Sequence, residues 1–158
     1  MADESRVPQY LQTHRLHGEI LRFAMEAEER TLRALAGSSA AGRGAKTLVK
    51  EGPLRITLAV LRRGASLDEH QVAGPASIHV LSGRLRVDTP GGTITLEAHE
   101  LAALDAGVAH SAQALDDAAL LITVAMPSTI RGGDRSAHQG AICDASVTPE
   151  HNPRSATG

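Results

Sequence analysis

The spacing of apolar residues changes once along the chain. Over residues 11–36, LQTHRLHGEILRFAMEAEERTLRALA, it is three or four, and Leu16, Ile20, Phe23, Ala24 and Ala27 form a stripe. Glu26, Glu28, Glu29, Arg30 and Arg33 fall on the wet side. This spacing predicts a helix that stops at Gly37 and is weakened near its start by Gly18. From residue 46 the period is two. In LRITLAVL (54–61), Ile56, Leu58 and Val60 share a face. In RLRVD (84–88), Leu85 and Val87 alternate with Arg84, Arg86 and Asp88. In TITLE (93–97), Ile94 and Leu96 alternate with Thr93, Thr95 and Glu97. These patterns predict half-buried strands, and the almost wholly apolar ALLITVAM (119–126) predicts a deep one.

Glu51-Gly52-Pro53, Ser82-Gly83, Pro90-Gly91-Gly92, Asp105-Ala106-Gly107 and Asp116-Asp117 supply turns between the strands. There is no room for helical crossovers. The expected fold is therefore mainly β, an antiparallel sandwich or barrel with an N-terminal α-helical extension. Residues 37–45, GSSAAGRGA, read as a flexible linker. Residues 127–158 hold few large apolar side chains and no period, which predicts a disordered tail. The division is thus 1–45 helix and linker, 46–126 barrel and 127–158 tail.

Composition narrows the function. The 158 residues are 42% hydrophobic and 22% charged with a net charge of -2, which suits one soluble domain. The arginines are scattered, so no basic field for nucleic acid or a membrane surface is expected. Tyr10 and Phe23 are the only aromatics, so residues 46–126 have none to stack on an aromatic ligand. The lone Cys143 makes no internal disulfide, the N-terminus has no signal-peptide pattern, and no apolar run spans a membrane. A cytoplasmic location is the expectation that follows.

The candidate chemistry lies in GASLDEHQVAGPASIHVLSG (64–83) and HELAALDAGVAHSAQA (99–114). Gly64, His70 and Gly83 match the spacing of Gly, five residues, His-x-His, three or four residues, Glu, six residues and Gly. Gly107 and His110 match the spacing of Gly, five residues, Pro-x-Gly-x-x-His, three residues and Asn. Residues 46–126 on this basis resemble the cupin family, and look more closely like a group of its small bacterial single-domain members. The resemblance implies a double-stranded β-helix of the jelly-roll type. In metal-bearing cupins the ligands are the two His and the Glu of the first motif and the His of the second. Here Val72 and Ala76 stand at the second His and the Glu, and His99, Asp105 and Ala114 at the Gly, Pro and Asn of the second motif. His70 and His110 remain as the candidate metal ligands.

Two imidazoles fall short of the three protein ligands a catalytic Zn or non-haem Fe centre typically has. A divalent metal there would be weakly bound. With Ala76 facing the interior, alternation sends Ile78 and Val80 inward and His79 outward, onto a packed or dimer-facing surface. Asp68 and Glu69 either orient the His70 ring or are solvated loop charges. His99 is expected in a turn, and His14, His17, His138 and His151 have no partner at ligand spacing. GSSAAGRGAK lacks the Gly-Lys-Ser/Thr ending of a phosphate loop.

Three functions stay open, with no catalytic residue assigned. The first is a barrel that binds a small non-aromatic ligand or a weakly held divalent metal through His70 and His110. The second is a metal-dependent cupin enzyme, an oxygenase or isomerase. The third is a non-catalytic assembly barrel. A homodimer is expected, since a lone jelly roll leaves strand edges and a sheet face to be hidden. The N-terminal helix is too little chain for a helix-turn-helix domain and is expected to cover a barrel edge or pack on a second subunit.

Overall fold

The computed structural model describes residues 20–127. Residues 11–19 of the expected helix, the tail from residue 128 and Cys143 lie outside the described residues. Among the described residues one helix, α1 (Met25–Ser38), precedes nine strands. They are β1 (Arg43–Glu51), β2 (Leu54–Leu61), β3 (Ser66–His70), β4 (Ala76–Ser82), β5 (Leu85–Thr89), β6 (Gly92–Leu96), β7 (Leu101–Leu104), β8 (His110–Ala114) and β9 (Ala118–Ala125). The strands form two sheets, β1-β2-β9-β4-β7 and β3-β8-β5-β6, with every pair antiparallel. The mainly β architecture with an N-terminal helix is the one expected.

Alternation puts one face of each sheet into a shared core. Ala59 and Leu61 of β2, Ile78 and Val80 of β4, and Ala118 and Leu120 of β9 meet Leu85, Val87, Leu96, Ala112 and Ala114 of the facing sheet. The helix makes a second, smaller core on the outside of the first sheet. Leu32 and Ala36 close over Leu48, Val49, Leu58, Val60 and Ala119. The face of β2 that carries Leu58 and Val60 is therefore buried by α1, not by the other sheet.

Three local expectations change. The helix starts at Met25, where the amides of Ala27 and Glu28 bond to the Ala24 carbonyl, and it runs past Gly37 to Ser38. Ile20 fits the stripe spacing but precedes the helix and is 85% exposed. Strand β1 begins at Arg43, inside the stretch read as a linker. Gly44 is what lets the helix sit there, since a Cβ would press on the Leu32 carbonyl oxygen and the Leu35 side chain. Finally, Glu28, Glu29 and Arg33 are not merely a wet face. Glu28 pairs with the buried Lys46 at 2.8 Å, and Arg33 bonds Glu29 at 2.7 Å and Ser82 Oγ at 2.9 Å. These contacts tie α1 to β1 and β4.

The two outer faces differ in charge. On the second sheet, Arg86 bonds Asp88, and Thr93 bonds Asp88. On the first sheet, Leu121, which packs against the helix-covered cluster, stands in register with His79 and Leu101 across β9, β4 and β7, beside Thr123, Ser77 and Ala103. None of these six is an Asp, Glu, Lys or Arg, and Leu101 is 57% exposed.

Candidate functional site

The core does not fill one end of the sandwich. A cavity of about 40 Å³ remains there, room for two or three ordered waters. Seven aliphatic side chains line it: Leu67 of β3, Val72 of the following loop, Ala76 and Ile78 of β4, Ala112 of β8, and Ile122 and Val124 of β9. His70 and His110 are the other two lining residues.

Both histidines are placed by the backbone. His110 opens β8 and is 5% exposed, with Ala112 and Ala114 following it into the interior. His70, read from sequence as a loop residue, is the last residue of β3 and lies directly across from His110 in the ladder. A bulge makes that pairing. Leu67 is opposite Ala112 and His70 is opposite His110, so three steps on β3 match two on β8. In an unbroken ladder, Glu69 would stand opposite His110 and His70 would turn outward. His70 remains exposed at the cavity mouth, and His110 is the buried partner. Their ring centroids are 4.4 Å apart and their planes are tilted by 55°.

Each ring is held by one main-chain bond. His70 Nδ1 lies 2.8 Å from the Asp68 carbonyl oxygen, and His110 Nδ1 lies 2.9 Å from that of Val108. A carbonyl only accepts, so Nδ1 carries the hydrogen and Nε2 of the neutral ring presents a lone pair. The orienting group of His70 is thus the main chain of Asp68, not the carboxylates of Asp68 or Glu69. No buried side-chain nitrogen or oxygen lacks a partner among the described residues, so His110 Nε2 opens onto the cavity. One lone pair inside an aliphatic pocket and a second imidazole at its mouth are the chemistry available.

Other singled-out residues lie elsewhere. His79 is half-buried on the face of β4 opposite to Ala76, Ile78 and Val80. His99 sits in a turn with φ 71°, a left-handed conformation at the position where the resemblance places Gly. Gly83, which closes the first motif, has φ 77° and packs so tightly that a Cβ would strike the Asp117 carbonyl oxygen. His14, His17, His138 and His151 lie outside the described residues.

Among the described residues, no three His, Cys, Asp or Glu side chains converge. Val72 and Ala76, at the two lost ligand positions, line the same cavity as His70 and His110 but offer no lone pair. A three-donor metal centre does not fit this donor set. Among the described residues no carboxylate lines the cavity to neutralise a cation there.

Neither a family model nor a curated protein matches the sequence. Solved structures do. A conserved protein of unknown function from Streptococcus pyogenes is 24% identical with a TM-score of 0.54, over 58% of this chain and 80% of that one. A cupin 2 conserved barrel domain protein from Leptotrichia buccalis is 26% identical with a TM-score of 0.51, over 52% of this chain and 40% of that one. A variant of salicylate 1,2-dioxygenase from Pseudoaminobacter salicylatoxidans is 21% identical with a TM-score of 0.57, over 66% of this chain and 34% of that one.

Proposed function

The chain is a cupin by fold, and from that premise we propose that it binds a small, non-aromatic molecule in the cavity between His70 and His110. One observation carries this reading: two imidazoles, each oriented by a backbone carbonyl, face an otherwise aliphatic cavity. Polar groups of fixed direction in an apolar concavity are what small-ligand sites have in common. A metal-dependent enzyme has less support, because the third donor such a centre needs is not among the described residues.

The test is a titration followed through the histidine ring nitrogens by long-range ¹H–¹⁵N NMR. Small aliphatic compounds are added to the purified protein, and His70→Ala and His110→Ala assign the signals. A saturable shift confined to these two rings supports the reading. Near-stoichiometric Fe, Mn, Ni or Zn by elemental analysis, lost in either variant, would favour the enzyme instead.

A second reading has its own observation. The uncharged row Leu121, His79 and Leu101 on the outer face of the first sheet is suited to a second copy of the chain. An uncharged face is complementary to another uncharged face, and a two-fold dimer brings identical patches together. Sedimentation of wild type and Leu101→Lys checks this. A dimer that the lysine converts to monomer supports it, and a monomeric wild type at high concentration rejects it.

A further inference from the structure

The cavity's hydrogen-bonding character goes further than its size and names a ligand class. We propose that it takes a neutral short-chain aliphatic alcohol or vicinal diol, with hydroxyl hydrogens donated to Nε2 of His110 and His70. This rests on the small-ligand reading above and deepens it.

The inference proceeds by exclusion of charge and then by matching of donors. Among the described residues, no Asp, Glu, Lys or Arg side chain lines the cavity. Both Nδ1 atoms already bond to main-chain carbonyls, so neither is free to donate to a ligand. With both rings in the neutral form, a carboxylate or phosphate would meet lone pairs and no donor. An ammonium would find acceptors but no counter-charge in an aliphatic enclosure, where an unpaired ion is costly. A neutral ligand escapes both penalties. It must bring hydrogens, because Nε2 of a neutral ring only accepts. One hydroxyl satisfies one nitrogen, and two hydroxyls on adjacent carbons satisfy both. The remaining carbons face Ile78, Ala112, Ile122 and Val124, which offer dispersion contacts and no polar atom. The 40 Å³ volume limits the ligand to a few heavy atoms in place of two or three waters. With no Phe, Tyr or Trp side chain among the described residues on the wall, nothing there favours a flat ring.

The experiment compares compounds of one carbon skeleton that differ only in their head groups: 1-propanol, 1,2-propanediol, propylammonium and propionate. They are titrated at pH 8, where imidazole is ordinarily neutral. The Nε2 shifts of His70 and His110 are read in the full chain. The expected result is a saturable shift with the diol and a weaker one with propanol. Propylammonium and propionate should bind about tenfold more weakly or worse. Ala76→Leu, which fills the cavity and leaves both histidines in place, should abolish the response while the amide spectrum stays folded. If propionate or propylammonium binds as tightly as the diol and Ala76→Leu removes it, the ligand class is wrong and the small-ligand reading stands. If none of the four moves either ring nitrogen, both are wrong.

Discussion

The clearest test of the site is to restore the two lost donors with Val72→His and Ala76→Glu. Both positions line the cavity that holds His70 and His110, so the double variant brings four donors to one space. Without metal it should be less stable, because Ala76 is only 8% exposed and its replacement puts a carboxyl into aliphatic surroundings. Burying such a group costs about 1–3 kcal/mol. For a body of this size each kcal/mol is worth about 4 °C, so the melting temperature should fall by about 4–12 °C. Zn²⁺ or Ni²⁺ at a hundred times its Kd would return about 2.7 kcal/mol, or about 11 °C. The wild type has two donors, and metal at or below its Kd would return less than about 0.4 kcal/mol, under about 2 °C. The assay is thermal unfolding with metal and with chelator, beside elemental analysis of dialysed protein. His110→Ala added to the double variant should remove the gain. The reasoning is refuted if wild type is stabilised as much as the variant, since some further donor would then complete the site. It is also refuted if the folded double variant takes up no metal.

Other outcomes follow from the surrounding structure. Gly83→Ala puts a Cβ against the Asp117 carbonyl at φ 77° and should cost about 2 kcal/mol or more in a denaturant melt. His99→Gly relieves a left-handed residue and should instead stabilise the chain by about 0.5–1 kcal/mol. Glu28→Gln strands the Lys46 ammonium, whose side chain is only 5% exposed, and should cost about 2–4 kcal/mol; combining Glu28→Leu with Lys46→Met should recover most of it in the same urea titration. The hydrogen bond from Arg84 holds the Asp116 carboxyl below the usual carboxylate range. A depressed folded value means stability that is present above the unfolded carboxylate range, near pH 3.9, and lost as pH falls through the folded value. The difference in melting temperature between wild type and Asp116→Asn should therefore shrink on acidification below about pH 4, and a constant difference would contradict it.

The period-two signal was legible where large apolar and polar residues alternate in the chain itself, at the sheet edge as in β6 or inside it as in β5. The stretches read at 54–61, 84–88, 93–97 and 119–126 correspond to β2, β5, β6 and β9 with shifts of at most a residue. Strand β1 was hidden because Arg43, Gly44 and Ala45 show no alternation, and what fixes them is α1 above. Lys46 looks solvated in sequence, yet it is buried because Glu28 comes down on it from the helix. Strand β3, Ser66–His70, is short and mostly polar, so nothing in its composition separates it from a loop. Motif spacing was enough to single out His70 and His110. It was silent on the carbonyls of Asp68 and Val108, because a main-chain acceptor has no signature in side-chain identity.

The extra residue in β3 has a consequence for how this site could change over time. Two neighbouring residues of opposite chemical temper, Glu69 and His70, compete for one place at the cavity entrance, and hydrogen-bond register alone decides between them. Sliding the strand by one step would exchange a base for an acid there without altering a single codon. The polarity of this entrance is thus written in the backbone, where substitution-by-substitution comparison would overlook it.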